Sequence, residues 1–297
     1  MREIDWAAHA RHRAQVIADE GQWIGLADEN LVPLWDFPPT IKLDAPEILN
    51  QPADMQLTCR VAGRLAARHP VAEELIADLS DFIETDGLLK PVSGKTRIVV
   101  VERAGGYRRG YKVTFTHGSG DADGITTIDV HGIGVLDYLR AYPCPSRPQS
   151  WKTTNIAPLD HGITTSWTKT RDVGEILLAG EAPSTEYTGP AAEQIPRLIY
   201  DSLDAVYTAT GHAAARSWPI VVATPRPGPG HTVYMVPDDR SIWDVVAPYA
   251  DAAGIALTAR IWWPGDPRPD IIDPAKTMTP DLPTIVIHAA PAQETNQ

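Results

Sequence analysis

Residues 97–139 read RIVVVERAGGYRRGYKVTFTHGSGDADGITTIDVHGIGVLDYL, and this run decides the fold class. Arg97 to Glu102 is apolar and β-branched. Ala104-Gly105-Gly106 makes a turn. From Tyr107 to His117 polar and apolar residues alternate, with Tyr111, Val113 and Phe115 on one face and Arg109, Lys112 and Thr114 among the polar positions. Such alternation marks a half-buried strand, because successive side chains point to opposite faces. Gly118 to Gly124 is a second turn, dense in Gly and Asp. Residues 125–131 alternate again, Gly132 and Gly134 end that strand, and residues 135–139 open a short helix. Turns this short exclude parallel crossovers, so the three strands form an antiparallel meander.

Working outward from the meander, residues 4–20 have the pattern of an amphipathic helix. Ile4, Ala7, Ala8, Ala14, Val16 and Ile17 share a broad face, Arg11, Arg13 and Asp19 lie elsewhere, Asp5 stands at the start and Gly21 at the stop. Residues 22–34 form two short strands around the polar turn 27–30. Trp35 to Pro39 makes a rigid corner, and strands follow at 40–44 and 55–61. Pro70 opens a helix over 70–84 with Glu73 and Glu74 at its positive end. Beyond the meander, residues 143–158 carry too many prolines for regular structure. Helices are expected at 191–210 and 241–253, the second capped by Ser241 and ended by Gly254. Strands are expected at 218–224 and 232–236, joined as a hairpin by the stiff loop 225–230, and again at 255–263 and 284–289. The fold class is therefore α+β and β-rich, with antiparallel sheets and inserted helices. A domain boundary falls in 143–160, giving 1–145 as a β-rich domain with inserted helices and 146–297 as a second α+β domain.

Composition narrows the function. The chain has 297 residues, enough to bury a sizeable core. Twenty-seven prolines favour loops and short strands over long helices. A net charge of −12 argues against a general nucleic-acid binder, which needs a basic face for phosphates. The local basic group Arg103, Arg108, Arg109 and Lys112 suits a solvated strand edge or a subunit contact. Cys59 and Cys144 form no metal-ligand pattern. Two buried thiols is the plainer reading of them, and a disulfide stays open. The N-terminus is charged and lacks the apolar core of a secretory signal, and no stretch approaches the roughly 20 apolar residues of a membrane-spanning helix.

No constellation of residues points to catalysis. Gly132-Ile133-Gly134 lacks the third glycine of a dinucleotide fingerprint. The stretch 118–124, with Asp121 and Asp123, has no later bidentate Glu of a calcium loop and reads as a hairpin turn. His9 and His12 share a helix face without a Cys or acidic ligand near them in sequence. Asp160-His161, and Asp129 with His131, each make half an acid–base pair with no nucleophile. No catalytic residue, metal site or cofactor is assigned. Trp262-Trp263 lies on a strand, so one ring fills the core while the other meets a neighbour or a ligand. The contact regions expected are the turn at Gly105 and Gly106 with Arg108 and Arg109, the turn carrying Asp121 and Asp123, Trp151 in its loop, Pro227, and the Trp262-Trp263 pair.

Three blocks resemble the minor tail proteins of long, non-contractile-tailed phages that infect actinobacteria, in particular their tail-hub or tail-associated group. They are VPLWDFPPTIKL at 32–43, the meander at 97–139 with the Pro-Pro-Trp loop 143–151, and SIWDVVAPYADAAGIALTARIWWPGD at 241–266. The resemblance implies barrel-like tail-tube modules and a homo-oligomer, usually a trimer, that closes the tube at the tail tip. It implies a virion structural protein, assembled in the host cytoplasm. Its partners would be the tail tube or distal tail protein, the tape measure, and fibres or receptor-binding proteins. DNA would meet it only in transit and it would not insert stably in membranes. Two other readings stand beside it: a carbohydrate- or receptor-binding module using Trp151, Trp262 and Trp263, and a tail-associated cell-wall hydrolase.

Overall fold

The computed structural model describes residues 4–62, 69–76, 95–105, 107–122, 124–156, 171–180, 183–211, 218–226, 231–277 and 282–292. The fold is mixed α+β and strand-rich, with antiparallel sheets that include a curled half-barrel. The chain divides into two compact units, Met1–Val135 and Leu136–Gln297. The division precedes the 143–160 loop because that loop is tied into the second unit: the Cys144 amide donates to the Arg240 carbonyl at 2.6 Å, and Pro143 bridges to Ser241.

The first unit opens with α1 (Trp6–Glu20), capped by the Asp5 carboxylate on the Ala8 amide and closed by Gly21 in the left-handed region. Then come β1 (Gln22–Ala27), β2 (Pro33–Asp36), β3 (Thr40–Asp44), β4 (Asp54–Arg60), α2 (Pro70–Leu75), β5 (Ile98–Arg103), β6 (Tyr107–Asp121) and β7 (Gly124–Gly134). All seven strands join one sheet in the order β2-β1-β5-β6-β7-β4-β3, each pair antiparallel. The meander thus forms the centre of the sheet. Alternate residues of five strands, among them Leu26, Val99, Val101, Tyr111, Ile128, Val130, Leu57 and Cys59, make one apolar cluster with Val71 and Ala72 of α2.

Four expectations are corrected here. The stretch 118–124 is not a long turn: β6 and β7 stay paired to Asp121 and Gly124. Gly120 tolerates this, since a Cβ there would lie 1.9 Å from the Gly124 carbonyl oxygen. Gly132 does not break β7 but pairs with Val113, and the strand runs on to Gly134, its last residue, opposite Tyr111. Phe115 does not share the face of Tyr111. The register shifts between Val113 and Phe115, and a one-residue bulge reverses the alternation. Finally, Ile76 is already extended, so α2 stops at Leu75; residues 77–84 of the expected helix lie outside the described residues.

The second unit contains α3 (Tyr138–Ala141), β8 (Lys152–Ile156), β9 (Arg171–Glu175), β10 (Tyr187–Pro190), α4 (Ala191–Ala209), β11 (Ile220–Val222), β12 (Thr232–Met235), α5 (Ile242–Ala253), β13 (Ile255–Trp262), α6 (Pro274–Thr277) and β14 (Thr284–Pro291). The Pro-rich stretch 143–158 is therefore less bare than expected, since it holds β8. Helix α4 buries Ile195, Leu198, Ile199 and Leu203, the stripe its 3.6-residue period demands, and packs on α5 and on β14. Ser241 caps α5 through the Asp244 amide and Gly254 closes it.

The expected hairpin between 218–224 and 232–236 does not form. β12 pairs with β10, whereas β11 runs parallel to β14, which pairs antiparallel with β13. Ile220, Val221 and Val222 are all buried, and a continuous apolar strand suits a position covered on both faces rather than a hairpin with one wet side.

Candidate interaction surfaces

The half-barrel sheet ends in two outer strands, β2 and β3. An outer strand presents unpaired backbone groups along one side, so it is either protected or used for pairing with another chain. Trp35 on β2 is 39% exposed and Ile41 on β3 is 64% exposed. Ile41 sits where the β3–β4 register shifts. Ile48 and Leu49, in the loop after β3, are also exposed. These are large apolar side chains on or near an edge, interspersed with the exposed charges of Lys42, Asp44 and Glu47.

A second exposed feature lies within the sheet. Downstream of the bulge, Phe115 stands opposite His131, and the two rings stack with centroids 4.1 Å apart and planes at 13°. A shallow cleft of about 310 Å³ opens beside Phe115, with Lys95, Lys112 and Thr116 on its walls. Arg97 also lines it, but its guanidinium is held by Glu74 at 2.6 Å and by Glu29 at 3.4 Å.

Seven of the ten expected contact residues are described, and their settings differ. Gly105 lies in an exposed turn at φ 92°, a backbone region glycine enters without a Cβ penalty. Arg109 pairs with Glu47 and is partly exposed. Asp121 is exposed at the end of β6. Trp151 is half-buried and its indole N–H donates to the Leu177 carbonyl at 3.3 Å. Gly106, Asp123 and Pro227 lie outside the described residues.

Arg108, Trp262 and Trp263 are buried, which removes them as surface contacts of this chain. Arg108 sits on Glu102 through Nε at 3.0 Å and Nη2 at 3.1 Å. Trp262 and Trp263 do not face opposite sides of a strand, because β13 ends at Trp262 and the chain turns there. The Trp262 indole donates to the Pro267 carbonyl, the Trp263 amide donates to Asp266, and both rings are packed inside the second unit.

The helix α1 docks by a polar route. Its one buried residue is Arg13, not an aliphatic side chain. Glu102 on β5 stands opposite Trp23 on β1 and opposite Arg108 on β6. Arg13 descends onto this row, donating from Nε to Glu102 at 2.7 Å, with its guanidinium carbon 5.9 Å from the Trp23 ring centre. His9 lies one turn earlier, edge-on to Trp23, with Nδ1 2.6 Å from Arg13 Nη1. Because the guanidinium can only donate, Nδ1 holds a lone pair and the ring proton sits on Nε2. Burial, and then the charge of Arg13, hold the His9 pKa down at about 4.

Both cysteines are free and buried, and burial pushes each thiol up to about 12. Among the described residues, no three His, Cys, Asp or Glu side chains converge as a metal-binding set, and no helix is long and apolar enough to cross a membrane. Sequence reading missed Trp35, Ile41, Ile48, Leu49 and Phe115 as exposed apolar positions. Which strand is an edge and where a bulge reverses the faces are set by pairing, not by local pattern. No protein-family model matches the chain, and no curated protein matches it significantly.

Proposed function

We propose that the chain is a structural protein of a phage tail tip, of the tail-hub or minor tail type. It closes the distal end of the tail tube and joins it to distal-tail and receptor-binding components. The observation that carries this reading is the open, curled seven-stranded sheet with exposed Trp35 and Ile41 on its two outer strands. A half-barrel that displays an apolar side chain on each outer strand is suited to a wall that its own copies complete, because pairing across subunits satisfies the edge backbone groups and covers those side chains. The three sequence blocks that resemble tail-hub proteins point the same way, and a threefold ring is the assembly they imply. The role is architectural rather than enzymatic, and the protein resides at the virion tail tip after assembly in the host cytoplasm.

The reading as a glycan-binding module loses support from burial: the Trp262 and Trp263 rings are not displayed for stacking on a sugar. The test is electron cryomicroscopy of virions carrying the chain, together with the mass of the purified protein. A threefold ring below the tail tube is expected. A chain absent from virions, or monomeric at the tip without neighbours, overturns the proposal.

A further inference from the structure

A separate exposed segment lies on the second unit. Among the described residues β9 shares its sheet with β8 alone, and its five residues Arg171, Asp172, Val173, Gly174 and Glu175 are all exposed. The chain continues through Ile176, Leu177 and Leu178, which are also exposed. Four aliphatic side chains within six residues are thus displayed on one short segment, a concentration unlike the scattered apolar positions that any surface carries. The segment is not loosely draped. The Trp151 indole holds the Leu177 carbonyl, and the Asp239 carboxylate holds the Ala179 amide at 2.5 Å, so its backbone is fixed from both sides while its aliphatic groups face outward.

We propose that β9 pairs antiparallel with β9 of a second copy of this chain about a twofold axis through Val173. The charge pattern of the strand selects this occupant. In a pairing centred on Val173, Arg171 stands opposite Glu175 of the second copy, Glu175 opposite Arg171 of the second copy, and Asp172 opposite Gly174. Every cross-strand charge meets either its opposite or a neutral residue, and no like charges face one another. Within the chain, β8 places Lys152 opposite Glu175, where the ammonium lies 2.9 Å from the carboxylate, and Ile156 opposite Arg171. The joined sheet therefore carries Lys152, Glu175 and Arg171 of the second copy in one row of alternating sign, repeated by symmetry at the other end. Val173 meets Val173 on the same face at the centre. Gly174 faces inward, where a Cβ would lie 3.1 Å from the Ala209 carbonyl, so Arg171, Val173 and Glu175 take the outward face. A contact of this kind is isologous and closes on itself as a dimer. It is independent of the outer strands of the half-barrel and stands or falls without them.

Cross-linking of the full chain tests the register. Both natural thiols are buried, so an introduced thiol reports alone. Val173→Cys brings two thiols face to face at the axis, at a separation within disulfide range. Mild oxidation is expected to convert most of it to a covalent dimer. A mixture of Arg171→Cys with Glu175→Cys is expected to give at least tenfold more heterodimer than either variant gives homodimer. In sedimentation, Arg171→Glu is expected to weaken association at least tenfold, and Arg171→Glu with Glu175→Arg to restore it. Circular dichroism checks that each variant is folded. A Val173→Cys protein that stays monomeric on oxidation, an unselective pattern of cross-links, or a double variant no stronger than Arg171→Glu overturns the proposal. So does a wild-type chain whose association responds only to changes at Trp35 or Ile41.

Discussion

Arg13 on α1 and Glu102 on β5 are 89 residues apart in sequence, yet Arg13 Nε lies 2.7 Å from Glu102 Oε2 in a buried ion pair. Arg108 holds the same carboxylate from β6, so one negative charge is shared by two guanidiniums, all with little exposure. Removing one partner of a buried pair leaves an uncompensated charge, whereas removing a charge that has a substitute does not. Glu102→Gln leaves two cations facing each other out of water, at a cost of about 3–5 kcal/mol. Arg13→Met leaves the two-point pair of Glu102 with Arg108 intact and costs less. Urea unfolding of the two variants checks the order.

His9 makes the docking of α1 sensitive to acid. Its folded pKa, about 4, lies below the ordinary value of 6.5, so the unfolded chain binds the proton more readily. The sign follows: stability contributed by neutral His9 is fully present above about 6.5 and is lost as pH falls toward 4. Protonation would add a second hydrogen at Nδ1, directly against Arg13, with Arg108 and His12 opposing it further and Asp36 favouring it. His69 and His288 are depressed too, mainly by burial, so each adds a slope of the same sign, whereas Asp201, raised mainly by burial, adds one of opposite sign. The test is the difference between wild type and His9→Gln: melting temperature should fall less steeply for the variant between pH 6.5 and 4. Parallel curves would remove His9 from the account.

Gly25 gives Trp23 its place. A Cβ at Gly25 would lie 2.1 Å from the Trp23 ring, and that ring is 2% exposed with its N–H on Asp36. Gly25→Ala therefore has to displace the indole on which His9 and Arg13 rest. Overpacking of this kind costs about 1–3 kcal/mol. A lowered melting temperature with a red-shifted tryptophan emission is the expected result, and unchanged emission would mean that the ring is not displaced.

Much of the architecture was legible because it is local. The meander, the Asp5 and Ser241 caps, the Gly21 and Gly254 stops and the apolar stripe of α4 each follow from a few adjacent residues. What was illegible depends on partners distant in sequence. The burial of Arg13 is unreadable without Glu102, because helical periodicity ranks it as a surface residue. The bulge between Val113 and Phe115 leaves the residue pattern unchanged while it reverses which face is wet. The Pro-rich loop before β12 suggested a hairpin, yet the apolar run of β11 was claimed by β14 and β12 by β10. The Trp262-Trp263 pair differs for the same reason: sequence alternation puts one ring in the core and displays the other, but the chain turns after Trp262 and both rings are buried.

The two thiols provide a probe of integrity. Cys59 and Cys144 are each fully buried in the packed interior and raised to about 12, so neither offers thiolate nor access. Native protein at pH 8 should resist iodoacetamide over hours, and urea should make both sites react together with loss of structure. Rapid labelling of one site in native protein would show that its element opens locally, independently of the rest.

Ile41 and Trp35 test the proposed wall. Ile41 is 64% exposed, so replacing it changes the fold's stability by no more than about 0.5 kcal/mol, whereas Trp35, 39% exposed, keeps more of its ring packed. Ile41→Lys places a charge on the edge where a neighbouring strand would pair, which is how proteins keep such edges single. If copies join through β2 and β3, Ile41→Lys and Trp35→Lys should each abolish the threefold species in sedimentation, and for Ile41→Lys circular dichroism and melting should stay as in wild type. Combining one of them with Val173→Lys should then leave monomer, since the two contacts are separate. An intact ring in both edge variants would mean that the half-barrel is completed by some other surface.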